Sequence, residues 1–264
     1  MKISIKLLTL LLAIIFVACG PNDEEKARIK LNQAKSFLAK QDTTTALAKL
    51  DSIPNLYPKA IYTANAAKNL IAEISFSVMQ RKEILLDTIN VEITKLEKSF
   101  VKEKTEFDRY TQYIHKRQTF KRAWDRSYIQ VHLDERGDLY LSSNYHGENS
   151  LNHTGLRVYD SGDAAKTDSI PLNDTHNHQS DFMEAKWEKV SYRKGKDNGV
   201  IEFIANNTDR RLKAVFIGKE YYYIILETYD KEAVKDALAL SNAIKTKAKL
   251  EAEIKSWQKK LSVK

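Results

Sequence analysis

Glycine is confined to one stretch of this chain, and that confinement limits the possible fold more than any motif does. After Gly20 the next glycine is Gly137, and none follows Gly218. Glycine serves turns and costs about 1 kcal/mol in a helix interior. The order of structure is therefore expected to be helices, then strands, then a helix, which is an α+β fold.

Residues 23–57 are expected to form a helical hairpin. Ala27, Leu31, Ala34 and Leu38 recur at spacings of three and four, as do Ala46, Leu47, Leu50 and Ile53. Pro54 is expected to end the second helix, and Pro58 to start a third. Residues 27–60 resemble a single tetratricopeptide-type hairpin, whose small or aromatic positions fall on Ala34, Phe37, Ala46, Leu50 and Pro58. Lys30, Gln33 and Ile53 depart from that pattern. No second copy follows, and about three are needed to bury a continuous core. The resemblance thus implies a helix pair and no peptide-binding superhelix.

Residues 59–122 contain neither glycine nor proline. Ile89, Ile93, Leu96, Phe100, Phe107, Tyr110 and Ile114 are spaced alternately by four and three, with Glu103 interrupting. Such a seam predicts one long helix over 58–122, forming the first arm of an antiparallel coiled-coil stalk. Residues 229–264 offer the second arm through Ala233, Ala237, Leu240, Ile244, Leu250, Ile254, Trp257 and Leu261. An intermolecular coiled coil is the alternative.

Strands are expected between 126 and 228. Ile129, Val131 and Leu133 alternate with Tyr128, Gln130 and His132; Asp134-Glu135-Arg136-Gly137 turns the chain, and Leu139-Tyr140-Leu141 continues the pattern. Residues 200–205, 212–217 and 221–228 read as further strands. A small antiparallel β-barrel or sandwich, inserted between the stalk helices, is the expected architecture.

The amino terminus concerns address. Lys2 and Lys6 precede an apolar run from Leu7 to Ala18, broken by Thr9. It is shorter than the roughly 20 residues that span a bilayer. The run meets Cys19, the chain's one cysteine, so disulfides within the chain are excluded. Phe16-Val17-Ala18-Cys19-Gly20 resembles the bacterial lipobox, with Phe16 where that family usually has Leu. The resemblance implies a signal peptide over 1–18, cleavage before Cys19, and diacylation of its sulfur at the head of a 19–22 tether. A plain signal peptide with a chance cysteine is the alternative. Each buried methylene contributes about 0.8 kcal/mol, so two or three acyl chains anchor durably. Asn22-Asp23-Glu24-Glu25 resembles the export signal of surface lipoproteins of Bacteroidota, and it equally suits a capped helix start.

Loss of Lys2 and Lys6 lowers the formal charge from +8 to +6. The remaining lysines are scattered among glutamates, which points to solvated helices and away from nucleic acid. Asp174, His176 and His178 are the candidate metal ligands, with Asp181 close by, because alternate histidines on a strand share a side; no third histidine is spaced to complete the set, and a polar surface loop is the better reading. Ser142-Ser143-Asn144-Tyr145-His146-Gly147 offers hydroxyls, an amide and a ring suited to a glycan or peptide, or else a strand ending in a turn. Tyr221, Tyr222 and Tyr223 are candidate binding residues together with Tyr145, since tyrosine anchors interfaces. In a strand, Tyr221 and Tyr223 share a face with Ile225, while Tyr222 joins Ile224 and Leu226. No motif for a nucleophile elbow, zinc protease, phosphate loop or dinucleotide site is present. No cofactor is expected.

The whole chain resembles the uncharacterised lipoproteins of Bacteroidota that combine a helical hairpin, a long helix and a small β-domain. That resemblance implies a lipid-anchored, non-enzymatic interaction or scaffold protein of the cell envelope, held at the outer membrane, with a protein or glycan partner. One alternative is a glycan- or metal-binding envelope enzyme using Asp174, His176 and His178. Another is an adaptor of an envelope transport system, although adaptors place the helical hairpin inside the β-domain and this chain reverses that order.

Overall fold

The computed structural model describes residues 22–119, 125–182 and 185–262, which form two compact units of a mixed α+β fold. The first unit draws on residues up to Ile84 and from Glu253 onward; the second spans Leu85–Ala252. Cys19 and the apolar run before it lie outside the described residues.

In the first unit, helix α1 (Asp23–Ala39) starts where the Asn22 side chain accepts from the Glu25 backbone N–H at 2.9 Å. Asp23, Glu24 and Glu25 occupy its first turn, where the helix dipole favours negative charge. Gln41, at φ 62°, lies in the short turn before α2 (Thr43–Leu56), which the Asp42 carboxylate caps at the Thr45 N–H, 3.0 Å away. Pro54 lies inside α2 and does not end it. In the last turn a proline forfeits only the bond to the residue four back, and Tyr57 N–H still reaches the Ile53 carbonyl. Helix α3 (Ile61–Leu96) then packs on the hairpin, and the end of the last helix completes the unit. Alanines at 27, 34, 46, 60 and 67 are buried and let the backbones approach closely around Leu31, Leu50 and Ile53. Glu24 accepts from both the N–H and the hydroxyl of Thr63, at 2.9 and 2.6 Å, tying α1 to the start of α3. Lys82 pairs with Glu253 at 2.6 Å.

The second unit corrects the long helix expected over 58–122. Helix α3 ends at Leu96, a turn of 3-10 helix follows over Glu97–Ser99, and strand β1 (Phe100–Glu103) pairs antiparallel with β2 (Gln112–His115). Glu97 holds the break: it accepts from the Tyr113 hydroxyl at 2.7 Å and pairs with Lys102 at 2.9 Å. The hairpin loop needs no glycine, because the Asp108 carboxylate accepts from the N–H and the hydroxyl of Thr105. Phe107, assigned to the seam, is 90% exposed in that loop.

Strands β3 (Tyr128–Asp134), β4 (Leu139–Gly147), β5 (Gly155–Tyr159), β6 (Ala164–Lys166), β7 (Asn177–Phe182) and β8 (Ala185–Tyr192) follow. Residues 200–206 are helix α4 (Val200–Asn206), against the strand expected there. Its buried residues, Val200, Ile201, Ile204 and Ala205, lie on one helical face, and Gly199 at φ +83° opens the turn. Strands β9 (Lys213–Ile217) and β10 (Tyr221–Ile225) precede the final helix α5 (Thr228–Ser262).

The strands form two open antiparallel sheets, ordered β1-β2-β3-β4-β8-β7 and β10-β9-β5-β6, so the described residues form no closed barrel. One core joins Ile129, Leu141 and Val190 of the larger sheet to Leu156, Val158 and Phe216 of the smaller. Helix α4 adds Ile204, and α5 adds Ala233, Val234, Ala237, Leu240 and Ile244. Thus Ala233, Ala237, Leu240 and Ile244 of the α5 face assigned to a stalk pack into the β core, which Ile93 and Leu96 of α3 also join. Gly137 sits where α5 comes closest: its φ is +82°, a Cβ there would stand 3.0 Å from the Ser241 carbonyl, and its own carbonyl accepts from the Ser241 hydroxyl. Only glycine fits both the conformation and the space.

Candidate functional site

The smaller sheet has a buried and an exposed face, and strand alternation assigns every residue to one of them. Paired residues share a face. Phe216, Leu156 and Val158 turn into the core, and Tyr222 shares their face at its margin, 38% exposed. Tyr221 and Tyr223 turn outward with Ile217, Val215 and Arg157. Tyr221 and Tyr223 are 77% and 62% exposed, and Ile225 beside them is 39% exposed. Tyr221 and Tyr223, together with Arg157, Tyr159 and Lys166, line a shallow groove of about 600 Å³. The Lys213 ammonium lies 5.6 Å from the Tyr223 ring centroid, and the Arg157 guanidinium 5.2 Å from that of Tyr159. No outward position on these four strands carries a carboxylate.

Strand β10 is the sheet's edge, and its hydrogen-bond phase can be read from its ends. Gly218 N–H reaches the Glu220 carbonyl and Leu226 N–H the Leu212 carbonyl, so the even-numbered residues of β10 exchange bonds with β9. Tyr221, Tyr223 and Ile225 therefore direct their N–H and C=O groups away from the sheet, along an edge that no described strand pairs. Exposed side chains and open backbone groups belong to the same three residues.

Tyr145 does not join this surface. It is buried on β4, donates its hydroxyl to the Asn149 carbonyl at 3.0 Å, and meets Tyr222 edge-on at 5.1 Å. Burial pushes its phenol pKa up, helped by the nearby Glu188 carboxylate. Tyr222, at the margin of the core, also packs against Phe216. The tyrosine cluster thus divides: Tyr221 and Tyr223 face solvent, while Tyr145 and Tyr222 form a ring pair.

Asp174, His176 and His178 are not assembled for a metal. The Asp174 carboxylate accepts from the His176 backbone N–H at 2.8 Å, closing a local turn, and His178 is exposed on β7. Among the described residues no three His, Cys, Asp or Glu side chains gather in a geometry that could hold an ion. Asn177 between the histidines points inward and donates to the carbonyls of His153 and Ile170.

Alternation also places a relay that the sequence did not announce. Ser143 Oγ lies 2.8 Å from His153 Nε2, and His153 Nδ1 lies 2.7 Å from Glu188 Oε2. Glu188 accepts as well from the backbone N–H groups of Asn152 and His153, which obliges the imidazole to donate at Nδ1. Although burial opposes it, this set of donors holds the Glu188 carboxyl below its ordinary range. The order hydroxyl, imidazole, carboxylate is that of an acyl-transfer triad. Here, however, Ser143 and His153 are both fully buried, and the Tyr192 hydroxyl occupies the other side of Ser143 Oγ at 2.9 Å. The relay joins β4, β8 and the segment before β5, and its role in this geometry is to satisfy buried polar groups.

Comparison with models of known families, with curated proteins and with solved structures finds no match.

Proposed function

We propose that this chain is a lipid-anchored protein of the cell envelope that acts by binding another protein and performs no chemistry of its own. Its contact element is the β10 edge with the outer face of the smaller sheet. The observation that carries this reading is the coincidence on Tyr221, Tyr223 and Ile225 of exposed side chains and outward backbone groups. An extended segment adding as a fifth strand gains main-chain hydrogen bonds from the edge and side-chain pockets from the face. Arg157, Lys166 and Lys213 on an outer face without carboxylates favour an acidic segment.

A photo-crosslinking residue at position 223, expressed in native membranes, tests this. It is expected to trap one partner through an acidic extended stretch, whereas the same residue at exposed position 107 does not. Equal yields and identities at both positions would contradict the reading. The anchor has its own test: Cys19→Ser is expected to leave an unprocessed or soluble protein. Normal mass and normal membrane retention in that variant would remove the anchor from the proposal.

A further inference from the structure

A second cavity, of about 310 Å³, lies at the opposite kind of surface, where the 107–112 loop, the β3–β4 turn and the residues after β8 converge. Its lining is polar and rich in both charges, yet the two signs are not equally free. Asp134 accepts from Arg136 at 2.7 Å and from the backbone N–H groups of Arg136 and Asp138. Asp138 accepts from the same guanidinium at 2.8 Å. Asp108 is used by Thr105. All three carboxylates are thus engaged.

The cations are engaged differently. Arg193 lies over the Tyr140 ring, with its guanidinium carbon 3.8 Å from the centroid, and donates to the Tyr140 hydroxyl at 2.6 Å. The other face of Tyr140 is stacked on His132 at 4.4 Å, so the guanidinium rests on a rigid two-ring platform. Among the described residues no carboxylate lies within ion-pairing distance of Arg193, Arg109 or Lys194. Lys194 is also held at φ 56°, a left-handed conformation that a lysine adopts only under constraint from its surroundings. The positive field is felt by neighbours: burial and then repulsion from Lys189 and Arg193 push the His132 imidazole down to about 3, and Lys189 is lowered by burial and by Arg193.

We infer that this cavity is a binding site for a small oxyanion ligand, a carboxylate or phosphate carried on a group of about one ring, with Arg193 as its principal anchor. A guanidinium fixed by its ring contact and by its bond to the Tyr140 hydroxyl presents its remaining N–H donors as a fork, which matches two oxygens of one anion. Arg109 and Lys194 add charge at the rim, and the cavity size is that of a small ligand pocket. This inference is independent of the β10 edge.

Calorimetric titration of the full chain with galacturonate, inorganic phosphate and neutral galactose tests it and separates the two anion sources. Saturable binding of galacturonate or of phosphate, with none of galactose, is expected. Galacturonate alone assigns the anion to a carboxylated sugar, and phosphate alone to a phosphate ester. Arg193→Met is expected to weaken the bound anion at least tenfold, and Arg193→Lys, which keeps charge but loses the fork, to weaken it by less. Both substitutions are on an exposed side chain, and unchanged thermal unfolding confirms that they fold. Binding of galactose as tight as that of the anions, binding unaffected by Arg193→Met, or no binding of either anion would overturn the site.

Discussion

Glu188 shows how much a single side chain can hold in this fold. It receives three hydrogen bonds inside a core where its own side chain is 1% exposed. Truncation leaves His153 and two backbone N–H groups without their acceptor, so Glu188→Ala is expected to cost about 3–5 kcal/mol. Urea unfolding measures it. The pH dependence has a definite sign. A carboxyl held low in the folded state stabilises above its ordinary value and loses that contribution as pH falls through the folded value. His132 acts over a higher window. Its folded value of about 3 lies below the ordinary 6.5, so its neutral form favours folding above 6.5 and the advantage declines as pH drops toward 3. His132→Phe is expected to flatten thermal stability between about pH 6.5 and about pH 4.5, and an unchanged slope would contradict the assignment. Neither group was identifiable from the sequence. Ser143 stood in a polar stretch and His153 ten residues on, and only the pairing of β4 with β8 brings Glu188 to them.

Elements were legible where one period governed them. The alternation at 129–133 and 139–141 predicted β3 and β4, and the turn at Gly137 joins them. The hairpin of α1 and α2 followed from its alanine and leucine spacing. The heptad at 89–114 failed because apolar residues four and three apart fit equally a helix end followed by two short strands. Its break is made by Glu97 and Asp108 through side-chain bonds, with no glycine or proline to mark it. At 200–205 β-branched residues suggested a strand, whereas burial on one helical face decided the outcome. The placement of α5 on the β core changes what a truncation does. Leu240→Ala is expected to destabilise the second unit by about 2–5 kcal/mol, as for a fully buried leucine. Gly137→Val, which forces both a left-handed backbone and a contact with the Ser241 carbonyl, is expected to cost at least about 1–3 kcal/mol. Guanidinium titrations of each variant check both, and stabilities within experimental error of the parent would contradict the packing.

For the whole molecule, we propose a division of labour between a lipid anchor at Cys19, expected from the sequence, and a contact edge on the smaller sheet. The tyrosine cluster was visible as composition. Which of its members faces solvent most fully was not, because that depends on β10 lying at the edge and on Tyr145 pairing with the part-exposed Tyr222 at the margin of the core. The most direct measurement is partner capture by Tyr223→Pro compared with Tyr223→Val. Proline removes an N–H that points away from β9, so the β9–β10 bonds survive, and edge strands accept it. Valine removes the ring and keeps the N–H. The account predicts that Tyr223→Pro abolishes capture of the crosslinked partner and that Tyr223→Val weakens it by about 1–2 kcal/mol, with unfolding midpoints near the parent's for both. Full capture by Tyr223→Pro in a folded protein would contradict strand addition at this edge.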